Sequence, residues 1–337
     1  MPRPTVTKLA DEIPFWNILL YADSGTGKTV FAGSDTKVLF VAPEDDGLIS
    51  TQRVNKIADT QKITIKKWED LIEAYEWYED NPEELKEFNV VVIDSITRMQ
   101  DMAKDYVLRM SADEKSRKGQ DPAKMQIQDY GDMHILLENL VKGFNDLPVN
   151  ILWTATAKKV EDADGMEFLV PDLQGKKEYG IAMKMVSLMT SYGYMRVEIH
   201  EVPAPTEEDP NATKNVKRRV IYWEDTGTIR GKDRTTSLTP FTVNMNLQQM
   251  RLAIKGTMVR NSEGRMVKAA EASVDKARLK APRKASPQKV DAVESKPKQN
   301  PANTPDDTAD ITDSVPQYSD GKETEGESQI ELEDINA

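Results

Sequence analysis

The chain has 337 residues, with 45 basic and 57 acidic side chains, a formal net charge of −12 and no cysteine. Without cysteine there can be no disulfide, zinc–cysteine cluster or thiol nucleophile, and the two histidines, His134 and His200, cannot build a histidine-rich metal site. Uninterrupted apolar runs such as Val90–Ile93 are far too short to span a bilayer, and residues 1–12 lack the apolar core of a signal peptide. A reduced, cytoplasmic protein with no membrane partner is expected.

Charge and aromatic content divide the chain. Residues 1–260 carry 41 acidic and 34 basic groups, residues 261–300 carry five acidic and ten basic, and residues 301–337 carry eleven acidic groups and one lysine. Every Trp and Phe, and every Tyr except Tyr318, precedes position 261. A segment so poor in aromatics cannot bury enough apolar surface to offset the entropy lost on ordering. The expected organisation is a short lead over 1–13, one α/β domain over 14–258, and a disordered tail over 259–337, basic at 265–298 and acidic at 303–337.

In chain order, Asn17–Tyr21 predicts a strand, followed by a Gly-rich turn and a helix beginning near Val30. Residues 36–42 predict a second strand ended by Pro43, and 47–59 a helix. Trp68, Leu71, Ile72, Tyr75 and Tyr78 share one helical face. Residues 88–94 are almost unbroken apolar sequence, as in a strand covered on both faces. Helices are expected over 95–110 and 125–144, separated by the charged stretch 111–124, and a fourth strand, again buried, over 149–155. Four strands separated by helix-length segments imply crossover connections and a largely parallel sheet flanked by helices. Farther on, 160–170 predicts a hairpin turning near Gly165, 179–190 a helix, 192–202 and 216–224 strands, and 247–254 a last short helix.

The chemistry concentrates in Ala22-Asp-Ser-Gly-Thr-Gly-Lys-Thr29. This is the P-loop pattern except that alanine replaces the first glycine, which requires that position to avoid a strongly positive φ. Backbone N–H groups of Asp23, Ser24, Gly25, Thr26, Gly27, Lys28, Thr29 and Val30 can surround a phosphate. Lys28 would reach the β- and γ-phosphates of ATP, and Thr29 would ligate Mg²⁺. Asp94, closing the strand 90–93, is the second candidate Mg²⁺ ligand. Glu44, just beyond the strand 38–42 and expected on a strand neighbouring that of the P-loop, can direct the attacking water. The alternative for the run Glu44-Asp45-Asp46 is a solvated turn. Thr154 and Thr156 share one side of their strand, and Thr156 is a candidate phosphate sensor.

Taken together, the P-loop, VLFVAPEDDG at 38–47, VVVIDSIT at 90–97 and ILWTATAK at 151–158 resemble the RecA-like core of the P-loop NTPase superfamily, and most of all its phage-encoded recombination and single-strand annealing ATPases. The resemblance implies that Glu44 is the catalytic base, that Asp94-Ser95 ends the metal-binding strand, and that Lys232 and Arg234 form a Lys-x-Arg pair acting on a neighbouring subunit's nucleotide. It further implies a homo-oligomer, ring or filament, that binds single-stranded DNA through two segments. Lys115, Arg117 and Lys118 belong to the first, and Lys158, Lys159, Lys176 and Lys177 to the second, with Phe168 and Tyr179 as stacking platforms. The basic part of the tail could contact DNA, and its acidic tip could dock on a single-strand-binding or replication partner. A replication accessory ATPase (helicase loader or DNA motor) and a nucleotide-gated interaction module are the alternative readings. A phage-encoded protein would act in the host cytoplasm.

Overall fold

The structure is a computed structural model describing residues 15–43, 48–49, 51–52, 59–111, 121, 124–174, 180–204, 211–260 and 266–268. Its centre is a parallel set of strands: β1 (Asn17–Ala22), β2 (Val38–Ala42), β3 (Gln61–Thr64), β4 (Val90–Ile93) and the first half of β5 (Asn150–Glu161). Beyond the parallel region β5 folds back on β6 (Glu167–Pro171) as an antiparallel hairpin. A long ribbon of β7 (Ser191–Pro203) and β8 (Thr213–Tyr222) follows, with β9 (Lys232–Asp233) on β7 and β10 (Phe241–Val243) on β8. The main path across the ten-stranded sheet is β10-β8-β7-β1-β5-β4-β2-β3.

This order corrects one expectation. The strand preceding Glu44 does not adjoin the P-loop strand, because β5 and β4 lie between β2 and β1. Nor do β4 and β1 pair directly, since β5 is inserted between them.

Period-two alternation explains the layers. Leu19, Tyr21, Leu39, Val41, Val91 and Ile93 enter one apolar core, while Ile18, Leu20, Val38, Phe40, Val90 and Val92 enter the other. Strands buried on both faces must be apolar at nearly every position, and these are. The first core is covered by α2 (Trp68–Asp80), α3 (Ile96–Ser111), α4 (Ile127–Asp146) and α5 (Gly180–Ser187), which supply Leu71, Met99, Leu137 and Met185. The second is covered by α1 (Lys28–Ala32) and α6 (Leu247–Ile254), through Phe31, Leu247 and Met250. A single 3₁₀ turn, Glu84–Glu87, leads into β4.

The helix expected at 47–59 lies mostly outside the described residues. Beyond the expected domain boundary, β11 (Met258–Arg260) pairs antiparallel with β12 (Met266–Lys268). Residues 269–337, with most of the basic part and all of the acidic part of the tail, lie outside the described residues.

Trp153 shows what holds the first core together. It is fully buried on β5, meets Phe144 edge-on at 5.9 Å between ring centroids, and donates its indole N–H to Asn145 Oδ1 at 2.9 Å. Trp153→Ala would leave a large cavity and an unpartnered amide oxygen. It is expected to destabilise the fold by about 3–5 kcal/mol in urea unfolding, and a loss below about 1 kcal/mol would contradict this packing.

Candidate nucleotide site

The site forms at the carboxyl ends of the parallel strands, on the α1 face of the sheet. Ala22 is the last residue of β1 and fully buried in ordinary strand backbone. Alanine at the motif's first position is therefore unstrained. The turn that follows depends on two glycines: Gly25 at φ 78° and Gly27 at φ 93° occupy the left-handed region, where a Cβ is disfavoured. Thr26 closes the turn by donating its hydroxyl to the Asp23 carbonyl at 2.8 Å. Lys28 folds back across the loop, its ammonium donating to the carbonyls of Ala22 at 2.9 Å and Asp23 at 3.1 Å. Burial holds its pKa below the ordinary lysine range, partly offset by Asp94 and Asp23.

Thr29, one residue into α1, donates its hydroxyl to Asp94 Oδ2 at 2.7 Å. On the other side Thr154, fully buried on β5, donates to Asp94 Oδ1 at 2.5 Å. Because β5 is inserted between β1 and β4, Thr154 reaches the carboxylate from the strand beside β4, and with Thr29 it holds both carboxylate oxygens. The Asp94 amide donates to Val41 O at 3.2 Å, so β2 ends beside the same point.

Thr29 and Asp94 offer a hydroxyl and a carboxylate oxygen within one small shell. That set fits Mg²⁺, which prefers one or two protein oxygens and completes its octahedron with phosphate and water. Among the described residues no cluster of three or more His, Cys, Asp or Glu could hold a metal ion in a protein cage.

Other expected residues fall differently. Glu44, Lys115, Arg117, Lys118, Lys176, Lys177 and Tyr179 lie outside the described residues. Thr156 pairs in register with Ala22, at the level where the P-loop begins, and its amide donates to Thr97 Oγ1 at 3.2 Å. Lys232 pairs with Tyr192, and the Arg234 amide donates to Thr190 O at 3.2 Å. Thr190 in turn bonds the carbonyl of Asn17, the first residue of β1, so this pair is not brought to its own P-loop but runs toward the opposite end of the strands. Burial and the neighbouring Arg234 lower the pKa of Lys232.

Lys158 and Lys159 do not project from a loop. They lie on β5, Lys158 donating to Leu173 O at 2.9 Å and Lys159 paired with Glu167. Phe168 is no stacking platform: it is buried in the core, and the Arg230 guanidinium lies 4.4 Å from its ring centroid.

Two residues of the site went unforeseen. Tyr194, on β7, donates its hydroxyl to Asp23 Oδ2 at 3.1 Å and steadies the loop, and burial followed by this bond raises its pKa to about 12. Arg219, on β8, donates its Nε–H to Thr26 O at 3.3 Å. Neither has a local signal, since only pairing of β7 with β1 and β8 brings them to the loop.

Residues 15–235 match the AAA_24 family, described as an AAA domain. The fold and the loop define a P-loop NTPase, and the chain belongs to this AAA-domain family. Membership implies a nucleotide-binding ATPase, which usually works with a divalent metal. No curated protein matches the sequence. No helix among the described residues is long and apolar enough to cross a membrane.

The link between β5 and Asp94 can be measured. Thr154→Val keeps the shape but removes a buried donor to a charged acceptor. It is expected to cost about 1.5–3 kcal/mol in urea unfolding, and an unchanged stability would show that Thr154 does not hold the carboxylate.

Proposed function

We propose that this protein is a Mg²⁺-dependent ATPase acting on single-stranded DNA as a homo-oligomer, promoting recombination through annealing or strand pairing. The observation that carries the nucleotide part is the convergence of Lys28, Thr29 and Asp94 at the mouth of a loop built on two left-handed glycines. In this reading the amides of residues 23–30 surround the β-phosphate. Lys28 exchanges its two carbonyl partners for phosphate oxygens, and Thr29 and Asp94 hold the metal. A bound Mg²⁺ would neutralise phosphoryl charge and orient the triphosphate. Water attacks the γ-phosphorus, the bond to the bridging oxygen breaks, and ADP and phosphate leave. Glu44 follows the end of β2, the strand beside Asp94, and is assigned to take the proton from that water. Lys232 and Arg234 are assigned to a neighbouring subunit's nucleotide, where cations supplied across an interface stabilise the transferring phosphoryl group and couple turnover to assembly.

The DNA part of the proposal is supported by the resemblance of the core motifs to recombination ATPases. An acidic chain holds a polyanion best when many modest basic segments line up along one strand, so binding should be cooperative and salt-sensitive. The basic stretch 265–298 adds a further arm, and the acidic end beyond residue 303 is assigned to a replication or single-strand-binding partner.

Lys28→Ala is expected to lower Mg-ATP turnover by roughly 100-fold or more, whereas Glu44→Gln should stop turnover and leave ATP binding intact. An unchanged basal rate in Glu44→Gln removes that residue from the mechanism. Fluorescence anisotropy with labelled single-stranded oligonucleotide should show tighter binding with ATP than without. No nucleotide-dependent affinity across low and moderate salt would reject the recombination reading and leave a loader, motor or nucleotide-gated module.

A further inference from the structure

Arg219 stands out among the arginines of the fold. Arg251 is held by Asp35, Arg230 by Asp225, Arg196 by Glu198 and Arg109 by Glu69. Arg219 is half-buried, and among the described residues no carboxylate pairs with it; its Nε–H bonds the Thr26 carbonyl. Burial lowers its pKa, with no acidic neighbour to oppose the effect. The guanidinium also lies close against the loop: a Cβ built on Gly27 would come within 2.5 Å of Nη2 and 3.2 Å of Cζ. Any side chain at position 27 would thus collide with this cation as well as strain the backbone.

The register explains how the residue arrives there. Arg219 alternates with Ile221, which enters the core beneath α1, so both face that side of the sheet. Its partner is Val197, three residues past Tyr194, which pairs with Tyr21 near the end of β1. Arg219 therefore stands level with the loop. It approaches from the β7–β8 side, whereas Thr154 and Asp94 approach from the β5–β4 side. A chain of phosphates held at its metal end by Thr29 and Asp94 would extend away from them toward Arg219.

We propose that Arg219 is a second nucleotide-binding cation supplied in cis, contacting the α-phosphate at the end of the cradle remote from the metal. The proposal rests on the reading that this loop binds a Mg-nucleotide. A planar guanidinium can take two phosphate oxygens at once, which a half-buried cation lacking a carboxylate partner is well suited to do. Because the α-phosphate is common to both nucleotides, Arg219 should serve ATP and ADP alike.

The test is calorimetric titration of Mg-ATP and Mg-ADP into the wild type, Arg219→Ala and Arg219→Lys, with the thermal midpoint of each nucleotide-free protein measured alongside. Arg219→Ala should weaken both nucleotides by a similar factor of roughly ten or more, with a nearly unchanged midpoint, and Arg219→Lys should recover part of the loss. Should Arg219→Ala fail to fold, Arg219→Gln carries the same expectation. Wild-type affinity for both nucleotides in the variants would overturn the proposal, as would a loss confined to ATP, which would place the arginine at the γ-phosphate. A wild type that binds neither nucleotide would remove the underlying reading and this proposal together, whereas normal wild-type binding with indifferent variants removes this proposal alone.

Discussion

One carboxylate ties the site together. Asp94 accepts from Thr29 at 2.7 Å and from Thr154 at 2.5 Å, joining the start of α1, the end of β4 and the middle of β5. Three elements distant in sequence are thereby fixed relative to one another at the mouth of the phosphate loop. Hydrogen bonds to a charged acceptor are stronger than neutral ones, and Thr154 is fully buried, so its bond is shielded from water. The loop itself turns on two left-handed glycines, with Lys28 folded over the carbonyls of Ala22 and Asp23.

Parts of this arrangement were legible in the sequence, for physical reasons. β4 and β1 are covered on both faces, so nearly every residue must be apolar, and the runs Val90–Ile93 and Ile18–Leu20 announce themselves. α6 also appears as read, over Leu247–Ile254. The P-loop is legible because glycine is the only residue that accepts those φ values without strain. By contrast β3, Gln61–Thr64, is a half-exposed edge strand of mixed polarity, and β9 and β10 are only two and three residues long. Such strands carry no periodicity of their own.

Strand order was the larger gap. Nothing local in residues 38–42 or 149–155 says that β5 enters between β1 and β4, because order is decided by how the crossovers pack. With β5 and β4 between them, β2 stands three places from the P-loop strand, and the insertion of β5 gives Thr154 its position beside Asp94. Tyr194 and Arg219 were invisible for the same reason: neither carries a local motif, and only tertiary pairing directs it at the loop. Lys158 and Phe168, read as parts of a loop, stand instead in a hairpin strand and in the core.

The central claim is that residues 23–30, with Asp94, form a cradle for a metal-bound triphosphate. Isothermal titration of ATP into the folded protein, with and without Mg²⁺ and alongside Lys28→Ala, tests it most directly. The account predicts saturable binding at one site per chain, tightened by Mg²⁺ and lost in the Lys28 variant. An absence of heat with the wild type, or equal affinity in Lys28→Ala, would contradict it.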